Sequence, residues 1–216
     1  MPLFFQRLIE DDPVQALPVV VAVALIYWFT RRSKHKKKFA DSFTEVRKRS
    51  RFNEIVRLLF ICFIVELICC TLFPTYFWYK LWHYPFERDF YFYMRFQRWE
   101  LAPKLLANIW LDGQVLGHSR YIWLSTFWDF AVNIALYVPL GLFLPLIWKR
   151  AKLWKVVLIG FGCTFLIEFL QAFIGRQGSA DDVICNTLGA LGGYALYLLM
   201  KKLFPRFTDK CKTVAE

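Results

Sequence analysis

Three apolar runs and one loop, between residues 133 and 186, carry three carboxylates, three amides and one guanidinium. Groups of this kind transfer protons, bind divalent cations, or exchange hydrogen bonds with hydroxyl, amide and phosphate groups. A charged or amide side chain inside a membrane segment costs free energy, so it usually has a partner or a function. We expect these side chains to bind a ligand together. They are Asn133, Glu168, Gln171, Arg176, Asp181, Asp182 and Asn186.

The three acids are also the catalytic candidates. Glu168 with Asp181 or Asp182 could act as an acid/base pair, because burial separates the proton affinities of neighbouring carboxyl groups. The same oxygens could hold a divalent cation. The cysteines and histidines, however, have neither metal-ligand spacing nor the arrangement of a nucleophile with its base. The sequence therefore predicts no resident metal and no cofactor, and it favours binding over catalysis.

The composition identifies the surroundings of these groups. The chain is 57% hydrophobic and 19% aromatic, which is typical of an integral membrane protein. Its net charge of +11 could suggest nucleic acid, but the basic residues cluster in the gaps between apolar runs. That distribution is the pattern of membrane topology. We therefore expect an all-α membrane protein with no nucleic-acid partner, located in the cell membrane.

Apolar runs long enough to span a bilayer occur five times, although the first is near the lower limit of about 17 residues. The predicted spans are about 13–30, 55–76, 128–148, 154–174 and 182–200. Between the second and third spans, 86–110 is rich in Tyr, Trp, Phe and Arg. Such residues prefer the headgroup region, so we expect an interfacial helix there, either gathering lipid or simply anchoring the protein.

Basic residues set the orientation. With five spans, nineteen Lys or Arg fall on one side of the membrane and eight on the other. The more basic side is expected in the cytoplasm, which places the N-terminus outside and the C-terminus inside. Each candidate side chain then lies at the outer end of its helix or in the outer loop. Glycines 189 and 193 continue the face of Asp182 and Asn186 and let a neighbouring helix approach closely.

These residues also occur in an order that resembles the VanZ-like family. The motifs are N-x5-P-x-G from Asn133, E-x2-Q from Glu168, and R-x4-DD-V-x2-N-x2-G from Arg176. The resemblance covers roughly 55–200 and implies a small bacterial membrane protein of the cell envelope. The founding member is linked to low-level resistance to teicoplanin, a lipoglycopeptide that binds cell-wall precursors. By this resemblance, 1–54 is an added helix and basic loop, 55–200 the VanZ-like core, and 201–216 a basic cytoplasmic tail.

Three functions are compatible with these features. The favoured one is binding or shielding of a lipid-linked or lipoglycopeptide ligand at the outer leaflet, with membrane lipids or a cell-wall precursor as partner. The alternatives are an enzyme that uses the three acids on a lipid-linked precursor, and a small transporter. Five spans are few for a transporter unless the chain forms a homo-oligomer. Glu66, in the middle of the second span, is a further acid without an assigned role.

Overall fold

The computed structural model describes residues 12–38, 44–73, 120–148, 150–174 and 178–211. Nearly all of these residues are helical, which confirms the predicted all-α fold class. The predicted interfacial helix at 86–110 lies outside them. The helices, numbered here in chain order, are α1 (Asp12–Lys38), α2 (Thr44–Leu72), α3 (Arg120–Ile147), α4 (Leu153–Phe173), α5 (Ala180–Leu203) and α6 (Pro205–Cys211).

Four of these helices are long and apolar enough to cross a membrane, and they correspond to predicted spans two to five. The apolar segments are Phe52–Leu72, Phe130–Ile147, Leu153–Phe173 and Ala180–Leu203. The first predicted span corresponds to a shorter apolar segment of α1, Ala16–Arg31. Several helices also continue beyond the apolar run, since α2 begins at Thr44 and α3 at Arg120. This chain is a multi-pass membrane protein.

The outer surface of α4 is apolar, as expected of a helix that contacts lipid. Its phenylalanines at 161, 165, 169 and 173 recur every four residues and are all exposed, while Thr164 and Glu168, on the adjacent stripe of the helix, are buried. Neighbouring rings in this row contact each other, with 5.1 Å between the centroids of Phe169 and Phe173. An apolar exterior over a polar interior is the reverse of a soluble helix and suits a hydrocarbon environment.

The described residues divide into two compact units, and helices α1, α2 and α6 belong to the first. A small core joins α1 to α2, in which buried Ala16 and Cys69 pack with Val19, Val65 and Phe73. At the other end of the pair, α6 packs against the beginning of the apolar part of α2. Asn53 donates a hydrogen bond to the carbonyl of Cys211, and the rings of Phe52 and Phe207 meet edge to face at 5.4 Å.

Two carboxylates of α2 have opposite surroundings. Glu54 Oε2 accepts a hydrogen bond from the Tyr27 hydroxyl at 2.8 Å and lies 3.3 Å from Arg31 Nε. Glu66 lies three turns further along the helix. Its Oε1 accepts one hydrogen bond, from the Cys70 thiol at 3.5 Å. Its buried Oε2 has no partner among the described residues. A thiol is a weak donor, so the Glu66 carboxyl is poorly satisfied.

We therefore expect substitutions of these two acids to have opposite effects on stability. Glu66→Leu should raise the melting temperature by about 2–4 °C, because it removes an unsatisfied polar group from an apolar segment. Glu54→Leu should lower it by about 2–5 °C, because Tyr27 and Arg31 lose their partner. Thermal unfolding of the detergent-purified variants measures both. A Glu66→Leu variant that melts below the wild type would show that this acid has a stabilising partner.

Candidate functional site

The second unit contains most of α3 with all of α4 and α5, and glycines let α3 and α5 touch through their backbones. A Cβ atom on Gly189 or Gly193 would overlap the carbonyl oxygen of Ile134 or Val138. In the same way, a Cβ on Gly141 would overlap the carbonyl oxygen of Ala190. Close backbone approach through small residues is a common means of packing helices in membranes.

Contacts along α3 and α5 show that the two helices run parallel. Asn133 Nδ2 donates to Asp182 Oδ1 at 2.7 Å, across a sequence separation of 49 residues. Gly141 meets Ala190 with the same separation, two turns further along both helices. Tyr137 and Asn186 lie midway between these contacts, so the register places them at the same level.

Helix α4 runs antiparallel to α5. Asn186 Nδ2 donates to Thr164 Oγ1 at 2.9 Å, and a Cβ on Gly160 would lie 2.6 Å from the Ala190 methyl group. One step along α4 toward its C-terminus therefore matches one step along α5 toward its N-terminus. Continuing this register by one turn places Glu168 at the level of Asp182.

The three helices thus contribute residues in three successive layers, each about one helical turn from the next. The layer nearest the loop between α4 and α5 contains two acids and an amide, the middle layer is neutral and polar, and the third contains only small residues. We call them the acid layer (Asn133, Glu168, Asp182), the hydroxyl layer (Tyr137, Thr164, Asn186) and the small layer (Gly141, Gly160, Ala190).

The acid layer is held in part by the beginning of α5. Glu168, only 3% exposed, accepts a hydrogen bond at 3.0 Å from the backbone N–H of Ser179. The Ser179 hydroxyl in turn accepts the backbone N–H of Asp181 at 3.2 Å and so caps α5. A carboxylate beside a helix N-terminus is favoured by the helix dipole. Ser179 is therefore the N-cap residue of α5.

The other predicted site residues follow from this arrangement. Gln171 is buried on the same face of α4 as Glu168 and Thr164. Asp181 is half-buried in the first turn of α5. Arg176 lies outside the described residues, so its place beside the other candidate side chains stays a prediction. The structure therefore brings six of the seven predicted ligand residues to the same part of three neighbouring helices, and their binding role stays a prediction too.

Tyr137 is the member of the layers that sequence reasoning missed. It is fully buried, its hydroxyl lies near Thr164, and it follows Asn133 by four residues, on the same face of α3. That spacing was a usable signal. Tyrosine is so common in the aromatic belts of membrane proteins that a polar role inside the bundle is easily overlooked.

The small layer ends the polar part of the bundle. At both contacts with Ala190, on α3 and on α4, there is no room for an added methyl group. Polar groups therefore line one end of the three-helix interface, and close-packed backbone seals it below. Among the described residues, no group of three or more His, Cys, Asp or Glu could hold a metal ion. The arrangement is suited to accept hydrogen bonds from a polar group that enters from the loop end.

Comparison with known proteins agrees with the motifs. A family model described as VanZ/LLP1 matches residues 19–201, which is most of the chain. The match begins inside α1, well before the residue 55 at which the motif-based resemblance was expected to begin, and it includes all three layers. A search of curated proteins and a search of solved structures each found no match.

Proposed function

We propose, from the fact that this chain belongs to the VanZ/LLP1 family, that it binds the polar part of an envelope ligand at the outer leaflet of the bacterial inner membrane. The ligand would be a lipid-linked cell-wall precursor or a lipoglycopeptide of the teicoplanin type. Retaining or shielding such a molecule would give low-level glycopeptide resistance. One observation carries the proposal: the acid layer lies at the loop end of a polar interface that the small layer closes.

The chemistry of the acid layer favours a headgroup rich in hydroxyl and amide groups. Carboxylates accept hydrogen bonds from such groups, and the Ser179 N–H holds the Glu168 carboxylate in place before any ligand arrives. Arg176, in the adjoining loop of the sequence, would supply the contact to an anionic group such as a phosphate. A planar guanidinium binds phosphate oxygens in pairs, which a lysine cannot reproduce.

The closed small layer argues against transport of a solute through the same interface. A transported solute would have to pass Gly141, Gly160 and Ala190, where backbone and methyl groups are already in contact. An enzyme remains the second candidate, because Glu168 is almost fully buried and shares its layer with a second acid. Two acids in unequal surroundings are the usual basis of acid/base catalysis.

Ligand retention tests the proposal. The wild type and the double variant Asn133→Leu/Asp182→Leu would be purified from native membranes in mild detergent, and bound lipids identified by native mass spectrometry. Removing both members of the 2.7 Å pair avoids leaving one polar group alone. We expect retained lipid-linked precursor to fall about tenfold, which corresponds to about 1.4 kcal/mol of binding free energy. Asp209→Asn, at an exposed acid of α6, is the control and should retain the wild-type amount. Equal retention by all three would reject the proposal.

The proposed site requires an orientation that places the loop between α4 and α5 outside. The excess of basic residues in 31–54, 149–155 and after residue 200 supports it. We therefore expect Ser119→Cys to react with a membrane-impermeant maleimide in intact cells, and Ser42→Cys to react only after lysis. The wild type, with its native cysteines, gives the background. Labelling of Ser42→Cys from outside would place the acid layer at the cytoplasmic face instead.

A further inference from the structure

Two buried polar atoms of the hydroxyl layer have no partner among the described residues. They are the hydroxyl oxygen of Tyr137 and the amide oxygen Oδ1 of Asn186. Tyr137 is fully buried and Asn186 is 5% exposed, so neither atom reaches solvent. Buried polar groups are nearly always hydrogen-bonded, because an unsatisfied one loses its water without compensation. Two such atoms in one layer leave one unsatisfied hydrogen-bonding position on each residue.

Their positions are compatible with sharing. The contacts above and below, Asn133 with Asp182 and Gly141 with Ala190, fix Tyr137 and Asn186 at one level. Both residues also lie beside the same third side chain: Asn186 Nδ2 donates to the Thr164 hydroxyl, and the Tyr137 hydroxyl is close enough to Thr164 to interact with it but lies outside hydrogen-bonding geometry. The two residues therefore share Thr164 as a neighbour, which places their unsatisfied polar atoms in one layer of the bundle.

We propose that the hydroxyl layer is an inner subsite that binds one neutral hydroxyl group, lying a helical turn beneath the acid layer. A hydroxyl both donates and accepts, so it can accept from the Tyr137 O–H while donating to Asn186 Oδ1. Exchanging the oxygen and nitrogen of the Asn186 amide leaves a donor in place of the acceptor, and a hydroxyl still satisfies both residues by reversing its direction. A metal cation could coordinate both oxygens, but it would leave the Tyr137 O–H without an acceptor.

The subsite is closed on one side. The small layer closes the bundle on the side away from the acids, so a guest lies against backbone there. A hydroxyl of an entering lipid headgroup and a water molecule have the same chemistry at this position. The inference does not rest on the proposed function, because protein stability reveals an occupied subsite whichever guest supplies the hydroxyl.

Tyr137→Phe tests the subsite, because a bound guest determines whether the substitution lowers or raises the melting temperature. The full chain would be reconstituted in phosphatidylcholine vesicles, whose headgroup has no hydroxyl, and in phosphatidylglycerol vesicles, whose headgroup has two. If a guest binds the tyrosine hydroxyl, its loss should lower the melting temperature by about 2–6 °C relative to wild type in the same vesicles. If the hydroxyl has no guest, Tyr137→Phe removes an unsatisfied group and should raise the melting temperature. Tyr194→Phe, on half-buried Tyr194 of α5, is the control and should change little.

The two lipid compositions identify the source of the hydroxyl. A decrease in both indicates water, and a decrease in phosphatidylglycerol alone indicates the lipid headgroup; either result supports the subsite. An unchanged or raised melting temperature in both compositions would overturn it, and so would an equal decrease from Tyr194→Phe. A double-mutant cycle with Asn186→Ala adds a second requirement. One shared guest makes the two effects clearly less than additive, whereas full additivity would contradict sharing.

Discussion

Replacing Gly193 by alanine is expected to disrupt the fold of the second unit, although only one methyl group is added. The new Cβ would overlap the carbonyl oxygen of Val138 and crowd the backbone of Gly141, so α3 and α5 would have to separate along their whole contact. Separation would break the Asn133–Asp182 hydrogen bond and misalign the hydroxyl layer. We expect a loss of about 3–5 kcal/mol, which is a decrease of about 10 °C in the melting temperature.

The neighbouring glycine is a matched control on the same helix. A Cβ on Gly192 meets nothing within 4 Å, so Gly192→Ala adds the same methyl group without a clash. Alanine is also the better helix former, and the variant should therefore melt at or slightly above the wild-type temperature. Thermal unfolding of the two variants, together with the yield of monodisperse protein in detergent, measures the difference. Equal melting of Gly193→Ala and Gly192→Ala would contradict the backbone contact between α3 and α5.

A second pair of substitutions separates binding from catalysis. If the chain only binds its ligand, Glu168→Gln should retain ligand within a few-fold of wild type, because the amide oxygen can still accept the Ser179 N–H. Arg176→Lys should reduce retention about tenfold, since a single ammonium does not replace paired contacts to a phosphate. If the chain is an enzyme, Glu168→Gln removes a proton-transfer group, and turnover should fall by about 10²-fold or more.

Both variants would be compared at matched abundance in native membranes. Native mass spectrometry reports the retained ligand, and mass spectrometry of the extracted envelope lipids reports any modified product. Asp209→Asn controls for the loss of an acid elsewhere in the chain. A modified lipid that is present with wild type and disappears with Glu168→Gln would replace the binding proposal with an enzymatic one.

The polar residues of the site were readable in the sequence because an apolar background makes them conspicuous. Asn133, Glu168 and Asn186 interrupt runs that otherwise contain few hydrogen-bonding side chains, and the positive-inside rule assigned their helix ends to one side. Tyr137 was not found, because its ring fits both a lipid-facing belt and a buried position. Its spacing of four residues from Asn133 allows either position, and its complete burial identifies it as part of the polar interior.

The sequence by itself determined the class of the protein, its helices and the family resemblance, because hydrophobic length and charge distribution act locally along the chain. It also indicated that the glycines of α5 would contact a neighbouring helix. The tertiary structure alone decided the partner and the register of that contact. Pairing of Asn133 with Asp182, and of Thr164 with Asn186, depends on how the backbones of three helices fit against Gly141, Gly189 and Gly193. Close packing of this kind depends on the shapes of several helices at once, so no single helix sequence encodes the layers.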